Sequence, residues 1–407
     1  MKSNTHVIVI GGGAAGFFAA INCAEKNTDY RVTILEKTNK LLAKVRVSGG
    51  GRCNLTNACM DNKQLVRNYP RGQKELQSVF SRFSVPDTIE WFTKRGVKLK
   101  TEPDGRMFPE SDSSETIVNC LLHEAEKAGV KIKTGVDIQE ITQNADATFT
   151  LKTADGGEFH CDKLILASGG NTGEAGYNEL RKSGHTIVKP VPSLFTFNIP
   201  NHPITQLMGV SVSDVRLRVA NTKIESEGPV LITHWGLSGP AVLKASAWGA
   251  RTLSDLKYDF KVVINWLPKY TEEKLRIEFA TQREENGARA ILTHSPFELP
   301  KRLWEFFTTS AGITDALRWA DLPKKTANVL INRLINDEYI VKGKTTFKEE
   351  FVTCGGVSLR DIDLSTMQSK LMPNLYFAGE IIDVDGITGG FNFQNAWSTA
   401  WIAATNC

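Results

Sequence analysis

Two cysteines near the start of the chain are the first residues whose type and spacing could do chemistry. Cys53 and Cys59 follow three consecutive glycines in the stretch SGGGRCNLTNAC. Such a pair could form a redox-active disulfide, and a single thiol beside a cofactor could donate a proton. In the alternative interpretation, the stretch is a glycine-rich loop along a cofactor and the cysteines are small apolar residues. The elements around the two thiols distinguish these interpretations.

A glycine motif and a carboxylate precede the cysteines. Gly11, Gly13 and Gly16 follow the apolar run 6–10 in the pattern GxGxxG, and Glu36 comes 20 residues later, at the end of a second apolar run. The first glycine permits a tight turn, the second lets the backbone approach a pyrophosphate, and the third lets the helix pack closely. A helix N-terminus favours phosphate, and an acid at this distance accepts hydrogen bonds from ribose hydroxyls. The pattern predicts a dinucleotide-binding fold.

The C-terminal part of the chain indicates which dinucleotide it binds. A predicted strand at 375–378 ends in Gly379 and Glu380, and Gly389 and Gly390 open a helix with small residues on one face. A second strand, acid and helix suit a long cofactor such as FAD, because the acid can bind ribityl hydroxyls and the helix dipole favours the reduced ring. A third strand, at 164–167, runs into a Ser-Gly-Gly turn of the kind that returns to the dinucleotide.

Five motifs in order resemble the HI0933-like flavoprotein family, which includes BaiN-like NAD(P)/FAD-dependent oxidoreductases. They are SGGGRCNLTN (48–57), THWGLSGPAVL (233–243), TCGGVSL (353–359), TMQSK (366–370) and FAGEIIDVDGITGGFNFQNAW (377–397). The similarity extends from residue 7 to residue 403. It departs from the family pattern at Gln368, where a glutamate is expected, and at Ala43, where a glycine is commoner.

The cysteines fit the loop interpretation better than the disulfide one. Flavin disulfide reductases space their redox cysteines as C-x4-C, whereas Cys53 and Cys59 are spaced C-x5-C. Those enzymes also need a second GxGxxG unit, and none lies between residues 100 and 350. They need a C-terminal histidine as well, and His294 is the last histidine here. We therefore expect residues 48–51 to offer backbone N–H groups to the flavin.

The motifs and the resemblance together give a set of expected FAD contacts. Arg52 and Asn54 would donate to pyrophosphate or ring, and Val136, on a small antiparallel sheet, would present backbone groups to adenine. No catalytic residue is assigned, but Cys53 and His234 are candidates. The expected FAD contacts are Gly11, Gly13, Ala14, Ala15, Gly16, Glu36, Lys37, Lys44, Ser48, Gly49, Gly50, Gly51, Arg52, Cys53, Asn54, Val136, Ala167, Ser168, Gly169, Gly170, Gly379, Glu380, Asp385, Gly389, Gly390, Phe391 and Asn392.

The pattern of elements predicts an α/β fold built on a discontinuous Rossmann FAD domain of the two-dinucleotide-binding type. Residues 1–190 and 373–407 would form that domain. Strand-like patterns predict an inserted β-rich domain over 191–268 and 345–372, and helical periodicity predicts a helical subdomain over 269–344. The active cleft would lie where the inserted domain faces the flavin, since ligands favour domain interfaces.

Composition excludes several classes of protein. The chain has 407 residues, 41% hydrophobic and 23% charged, as in ordinary globular proteins. The apolar stretch 7–21 contains three consecutive glycines and no cleavage site, so neither a membrane span nor a secretory signal is predicted. Seven scattered cysteines predict reduced thiols in the cytoplasm and no metal site. Residues 31–110 carry 16 Lys/Arg and 8 Asp/Glu, a basic excess that suits a phosphorylated partner or a solvated surface.

The family resemblance implies reduction of carbon–carbon double bonds conjugated to a carbonyl and, less often, amine oxidation. The implied substrates are unsaturated 3-oxo steroids and a uridine of ribosomal RNA, whose C5=C6 bond is conjugated to C4=O. We therefore expect an FAD-dependent oxidoreductase fed by transiently docked NAD(P)H, acting on a small unsaturated carbonyl compound or on rRNA. Two alternatives remain: a flavin oxidase of small amines that uses oxygen, and a flavin-binding RNA or ribosome partner without turnover.

Overall fold

The computed structural model describes residues 5–171, 173–345 and 352–407. Two compact units divide the chain: the first comprises residues 1–193 and 347–407, and the second comprises residues 194–346. The predicted domain segment 345–372 lies partly outside the described residues.

The strands and helices are numbered in chain order. The strands are His6–Ile10 (β1), Arg31–Leu35 (β2), Thr56–Asn57 (β3), Leu99–Thr101 (β4), Arg106–Pro109 (β5), Lys131–Lys133 (β6), Ile138–Gln143 (β7), Phe149–Thr153 (β8), Glu158–Cys161 (β9), Lys163–Leu166 (β10), Ile187–Ser193 (β11), Thr196–Asn198 (β12), Ser211–Val219 (β13), Glu225–Thr233 (β14), Gly236–Ser238 (β15), Asp259–Asn265 (β16), Asp337–Lys342 (β17), Lys344–Thr345 (β18), Val352–Val357 (β19), Ile362–Asp363 (β20), Gln368–Ser369 (β21) and Leu375–Phe377 (β22). The α-helices are Ala14–Lys26 (α1), Ala43–Gly51 (α2), Asn62–Leu65 (α3), Leu76–Phe80 (α4), Val85–Thr93 (α5), Glu115–Lys127 (α6), Asn178–Lys182 (α7), Pro240–Trp248 (α8), Ala250–Asp255 (α9), Glu272–Glu285 (α10), Lys301–Ser310 (α11), Lys324–Ile335 (α12) and Phe391–Asn406 (α13).

A mostly parallel sheet is the centre of the first unit. Its order is β20-β21-β22-β10-β1-β2-β6, and β22, β10, β1, β2 and β6 run parallel. Strand β1 is apolar and buried, as expected of a strand covered on both faces. The chain passes from β1 through α1 to β2 on one side, whereas β10 lies on the other side of β1. The strand order therefore reverses between β1 and β10, which is where doubly wound sheets bind ligands.

Two helices with small residues pack closely beside this sheet. Helix α1 contacts α13, and the ring of Phe18 lies 5.2 Å from that of Trp397. A Cβ atom added at Gly379 would lie only 2.7 Å from the Cβ of Ala15, so only glycine fits there. The predicted strand–glycine–helix units at the two ends of the chain are thus neighbours in the fold.

The second unit is an antiparallel sheet with helices packed on it. Its order is β17-β16-β13-β14-β15-β12-β18, and α8 begins at Pro240 after Gly239. Its buried core joins strand residues such as Val262 to helix residues such as Trp304 and Leu330. Helices α10, α11 and α12 therefore share one core with the sheet.

The observed units and the predicted domain layout draw their boundaries at different residues. Strand β19, predicted to belong to the β-rich domain, pairs with β11 in the first unit. Strand β17 lies within the range predicted as helical subdomain and pairs with β16. The three-part layout stays a prediction.

Two searches of the described ranges complete the description of the fold. No helix there is both long enough and apolar enough to cross a membrane. The same ranges hold no group of three or more His, Cys, Asp or Glu side chains arranged to bind a metal ion.

Candidate active site

The carboxyl ends of three parallel strands meet at the point where the strand order reverses. The N–H of Ala167, just after β10, donates to the carbonyl of Ile10 at 2.9 Å, and that of Ala378, after β22, donates to Leu166 at 2.9 Å. Gly11 follows β1 with a φ of +113°, and a Cβ there would lie 2.3 Å from the Ala167 carbonyl oxygen. Glycine is therefore required at this turn, and the three predicted motifs share one edge of the sheet.

In the first glycine motif, Gly16 is closely packed, whereas Gly13 has open space beside it. A Cβ at Gly16 would lie 1.8 Å from the carbonyl oxygen of Gly11, so this glycine lets α1 pack onto the turn. Gly13 is the N-cap of α1, and a Cβ there would meet no atom within 4 Å. Ala14 and Ala15 are the first residues of α1, and their N–H groups belong to its open N-terminal turn.

The carboxylate of Glu36 is fixed beside this turn. It accepts hydrogen bonds from the N–H of Gly12 at 2.7 Å, the N–H of Thr38 at 2.8 Å and the hydroxyl of Thr38 at 2.9 Å. The N–H of Val136 donates to the backbone carbonyl of Glu36 at 2.9 Å, so Val136 would have its carbonyl to offer to adenine. The acid predicted to bind ribose is thus oriented by the backbone before any ligand binds.

The glycine loop formed by the non-helical end of α2 and the residues that follow it contains four residues with positive φ: Gly49 at +60°, Gly50 at +69°, Gly51 at +84° and Cys53 at +60°. Such a run turns successive N–H groups toward one side, as in anion-binding backbone nests. A Cβ at Gly50 would meet no atom within 4 Å, whereas one at Gly49 would lie 2.8 Å from the ring of Phe108. One side of this loop is therefore packed, and Gly50 faces open space.

Side chains after this loop join it to the start of α13. In the orientation that satisfies both neighbours, the Asn54 amide accepts from the N–H of Gly390 at 2.9 Å. Asn57 donates to the carbonyl of Gly389 at 3.0 Å. A Cβ at Gly390 would lie 2.3 Å from the carbonyl oxygen of Thr56, so glycine lets the strand and the helix start touch. Two motifs more than 330 residues apart in sequence are therefore in direct contact.

Glu380 is the centre of a second polar cluster. It accepts from the N–H of Thr353 at 2.8 Å and forms an ion pair with Lys44 at 2.7 Å. A Cβ at Gly170 would lie 2.6 Å from a Glu380 carboxylate oxygen and 2.4 Å from Thr353 Oγ1. At Gly169, by contrast, a Cβ would meet nothing within 4 Å. Ser168, which precedes the two glycines, is exposed.

Two basic residues predicted to contact the cofactor pair with acids. Lys37 lies 3.0 Å from Asp137. Arg52 lies 2.6 Å from Glu102, and its guanidinium stacks over the ring of Phe108 at 4.0 Å. The N–H groups of the glycine loop, rather than these charged side chains, lie beside the open positions.

Three predicted contacts near α13 have protein partners. Asp385 is fully buried and pairs with Arg71. The Asn392 amide accepts from the N–H of Gly386 at 2.8 Å and donates to its carbonyl at 2.9 Å. Phe391, the first residue of α13, is buried. These contacts fix the loop that precedes the N-terminus of α13.

The two catalytic candidates have unlike surroundings. Cys53 is fully buried in the first unit, and burial raises the pKa of its thiol to about 12 against an opposing hydrogen bond from Ser48. At neutral pH this thiol therefore keeps its proton. Cys53 and Cys59 are both free thiols. His234 is exposed in the second unit on the turn between β14 and β15, with its ring 4.2 Å from that of Trp235.

The first unit has room and polar groups that fit FAD. Among the described residues, four buried side-chain atoms lack a hydrogen-bond partner, and two of them, Thr353 Oγ1 and Asn395 Oδ1, lie in motifs that the sequence assigns to the cofactor. Buried polar atoms normally have partners, so these two atoms are suited to a ligand. An added Cβ would meet no atom within 4 Å at Gly13, Gly50 or Gly169. Each of these glycines lies in a motif that the sequence analysis assigns to the cofactor. The residues present therefore fit the predicted group.

Sequence reasoning missed four polar residues of this region. Thr353 and Asn395 lie inside the recognised motifs TCGGVSL and FNFQNAW. The motifs indicate where these residues lie in the fold, but not that their side chains could bind a ligand. Arg71 and Ser193, the partners of Asp385, lie in stretches without any recognisable motif.

Comparisons with known proteins agree with this geometry. A sequence model of the family described as "HI0933-like protein Rossmann domain" matches residues 5–406. The chain is 30% identical over 403 residues to the 3-dehydro-bile acid delta(4,6)-reductase of Clostridium scindens, covering 97% of each chain. It is 31% identical over 406 residues to the ribosomal RNA dihydrouridine synthase of Escherichia coli, covering 98% of this chain and 96% of that one.

A solved structure supports the fold alone. The 3-ketosteroid-delta4-(5alpha)-dehydrogenase of Rhodococcus jostii superposes with a TM-score of 0.51 at 14% identity, covering 99% of this chain and 97% of that one. The predicted fold class, a Rossmann-type α/β fold of the FAD-binding kind, is confirmed.

Proposed function

The chain belongs to the HI0933-like family of Rossmann flavoproteins, and on that premise we propose that it binds FAD and reduces a C=C bond conjugated to a carbonyl. NAD(P)H would be the electron donor. The observation that carries the proposal is the meeting of three glycine turns and Glu380 at one sheet edge, with open space at Gly13, Gly50 and Gly169.

Each half of FAD has residues in the first unit that would hold it. The N-terminal turn of α1 would bind the pyrophosphate, and Glu36 would bind the ribose. Glu380 would accept from ribityl hydroxyls, and Thr353 and Asn395 would gain the partners that they lack in the protein. The start of α13 would lie near the flavin pyrimidine, where the helix dipole favours negative charge.

When bound, FAD would supply the redox chemistry for transfer of a hydride equivalent from NAD(P)H to the β-carbon of the acceptor. A proton then adds to the α-carbon, so the C=C bond becomes a single bond and NAD(P)H becomes NAD(P)⁺. The residues of the chain hold the cofactor and orient the acceptor. Cys53, buried and protonated, packs at the loop beside the cofactor in this account and donates no proton.

The substrate class follows from the chemistry that two relatives share. One relative is named as a reductase of an unsaturated bile acid and the other as a synthase of dihydrouridine in rRNA, and both names describe saturation of such a bond. Nine of the 16 basic residues of 31–110 form ion pairs with acids, so this surface is less positive than the sequence suggests. The basic residues there that form ion pairs are Lys37, Lys44, Arg46, Arg52, Arg71, Lys94, Arg95, Lys100 and Arg106. We therefore favour a small unsaturated carbonyl compound, and a cytoplasmic location stays part of the proposal.

Anaerobic reduction of the purified protein tests the proposal. The visible absorption of oxidised flavin should disappear on addition of NADH or NADPH. Bleaching by a small amine, with peroxide formed in air, would support the oxidase alternative instead. An RNA that binds to protein whose flavin responds to neither donor would support the binding-partner alternative.

A further inference from the structure

Two buried thiols meet where the last turn of α1 packs against the end of α13, outside the residues expected to contact FAD. The Sγ atoms of Cys23 and Cys407 lie 3.1 Å apart, in a hydrogen bond that either thiol could donate. Both cysteines are free, and they are 384 positions apart in sequence. Cys23 is fully buried, and Cys407 is 8% exposed. The packing of α1 against α13 therefore brings two distant sulfur atoms into direct contact.

Hydrogen bonds from two neighbouring elements hold the end of α13 in place. Lys26, the last residue of α1, donates from its ammonium group to the carbonyl of Thr405. The hydroxyl of Tyr376, on β22, donates to the carbonyl of Asn406 at 2.9 Å. Helix ends commonly fray, but these two bonds fix the residues that immediately precede Cys407. The contact between the two thiols is thus part of a fixed junction between α1, α13 and β22.

The distance between the two sulfur atoms is short enough for a disulfide to form with little movement. A disulfide holds its sulfur atoms about 2.0 Å apart, so the two atoms need to approach by only about 1 Å. A small rotation of the two side chains would provide this approach. The backbones of α1 and α13 can therefore keep their packing when the bond forms.

The Cys407 thiol is the more readily ionised of the two. A hydrogen bond from Cys23 lowers the pKa of Cys407, burial opposes this effect, and nearby Lys163 and Lys26 lower the pKa further. The same hydrogen bond and burial raise the pKa of Cys23. The thiolate is the reactive form of cysteine, and lysines beside a thiol favour that form. Cys407, which is also the more exposed of the two, is thus suited to react first with an oxidant.

We propose that Cys23 and Cys407 are a site of reversible oxidation, at which hydrogen peroxide converts the two thiols into a disulfide that links α1 to the end of α13. The Cys407 thiolate attacks one peroxide oxygen, the O–O bond breaks, hydroxide leaves, and the sulfur becomes a sulfenic acid. The Cys23 sulfur then gives up its proton, attacks the Cys407 sulfur and displaces the hydroxyl group. The two thiols lose two electrons and two protons, and the peroxide becomes two water molecules. This site does not depend on the function proposed above.

The disulfide would stabilise the first unit. It would close a loop that contains most of the chain, and a closed loop restricts the conformations available to the unfolded state. Helices α1 and α13 begin at glycine motifs expected to hold the cofactor, and the bond would join their opposite ends. Oxidation should therefore stabilise this part of the fold without occupying space that the cofactor needs.

Peptide mapping of the wild-type protein tests the site directly. The native protein would be treated with hydrogen peroxide, its remaining thiols would be alkylated in urea, and a digest would be analysed by mass spectrometry without reductant. We expect a cross-linked pair of peptides that contains Cys23 and Cys407, and we expect dithiothreitol to restore both thiols. A digest in which Cys23 is alkylated, or is joined to any other cysteine, would overturn the proposal.

Matched variants extend the test to stability. The urea midpoint of the wild-type protein, followed by circular dichroism, should rise by about 0.5–1 M on oxidation and return after reduction. The midpoint of Cys23→Ala should not respond to peroxide, because one of the two sulfur atoms is missing. Cys161→Ala, at a buried free cysteine on β9, is the control and should respond as the wild type does.

The two measurements together separate this pair from the other thiols. A midpoint that rises equally in Cys23→Ala and in the wild type would show that other cysteines respond to peroxide, and it would overturn the stabilising role of the pair. Because the peptide map uses the wild-type chain, a Cys23→Ala protein that folds poorly would still leave the disulfide itself open to contradiction.

Discussion

Among the described residues, each compact unit has one Arg–Asp ion pair whose carboxylate is fully buried, and the two pairs are built differently. In the second unit, Arg333 at the end of α12 donates to Asp337 at 2.8 Å, four residues later at the start of β17. Trp266 also donates to Asp337, at 3.1 Å, as does the Tyr339 hydroxyl. In the first unit, the partners of Asp385 are Arg71, 314 residues away in sequence, and a serine.

The difference lies in the partners of each carboxylate and in how far apart they are in sequence. Burial raises the pKa of both carboxyl groups, and hydrogen bonds from their partners oppose that rise. Trp266 and Tyr339 complete the shell of Asp337, and the Arg333–Asp337 pair lines a cavity of about 460 Å³. Arg71 and Ser193 complete the shell of Asp385, and the neighbouring glycines Gly72 and Gly386 are closely packed. The Arg71–Asp385 pair joins two segments of the first unit that are distant in sequence, whereas the Arg333–Asp337 pair joins the end of α12 to the start of β17.

The largest effect should come from opening the pair in the second unit. Asp337→Ala would leave the donors on Arg333, Trp266 and Tyr339 without their acceptor, which should lower the free energy of unfolding by about 3–5 kcal/mol. Urea denaturation followed by circular dichroism measures this. The folded fraction should still be reduced by NADPH at the wild-type rate. A variant of wild-type stability, or one that is stable but not reduced, would contradict this expectation.

Substitutions at Gly16 and Gly13, in the first unit, should have different effects on stability and on FAD binding. Gly16→Ala places a Cβ against the Gly11 carbonyl oxygen, so it should lower the free energy of unfolding of the apoprotein by about 1–3 kcal/mol. Gly13→Ala adds a Cβ that meets no protein atom, so the apoprotein should keep its stability. FAD should bind to Gly13→Ala more weakly by about 1–3 kcal/mol, if the added methyl occupies space that the pyrophosphate needs. Unchanged FAD affinity in Gly13→Ala, measured by fluorescence titration, would place the cofactor elsewhere.

Substitution of Glu36 should also weaken FAD binding, but by a smaller amount. Glu36→Arg removes the carboxylate expected to bind ribose, which should weaken FAD binding by about 1 kcal/mol or more and lower the FAD content after purification. Glu36→Gln keeps an acceptor for the Gly12 N–H and serves as its control, with an intermediate loss. Full FAD content in Glu36→Arg would contradict the ribose role.

The smallest effect concerns pH and the core of the second unit. Burial lowers the pKa of His202, nearby Asp337 opposes this, and the ring packs edge-on against Tyr339 at 4.9 Å. The unfolded chain protonates this histidine at its ordinary pKa of about 6.5, whereas the folded chain takes up the proton only at a lower pH, so stability falls as the pH drops below that value. His202→Asn keeps an acceptor for the Ile204 N–H and does not titrate, so its stability should fall less steeply between about pH 7 and pH 5. Parallel unfolding curves for the two proteins would show that His202 does not contribute.

The sequence predicted most of the first unit because its signals are local. The strand, glycines and helix at 6–26, and the equivalent element at 375–406, are each written in neighbouring residues whose steric requirements are specific. The structure explains those requirements, since a Cβ at Gly11, Gly16 or Gly390 would overlap a backbone carbonyl.

The polar residues that complete the site could not be predicted in the same way. Arg71 is one of many arginines in the sequence, and only the fold brings it to Asp385, 314 positions later. Helical periodicity over 269–344 did not predict β17, because this strand's alternation of buried and exposed residues is only six residues long. Both features depend on pairing between residues that are distant in sequence, and local sequence patterns do not indicate such pairing.

Reoxidation under anaerobic conditions tests the central claim most directly. The purified protein would be reduced with NADPH, freed of excess donor and mixed with a steroid 4-en-3-one or with unmodified rRNA, and the product examined by mass spectrometry. We predict that the flavin absorption returns with one of these acceptors and that the product gains two hydrogen atoms at its C=C bond. Reduced flavin that persists with every conjugated acceptor and is reoxidised only by oxygen would contradict the account.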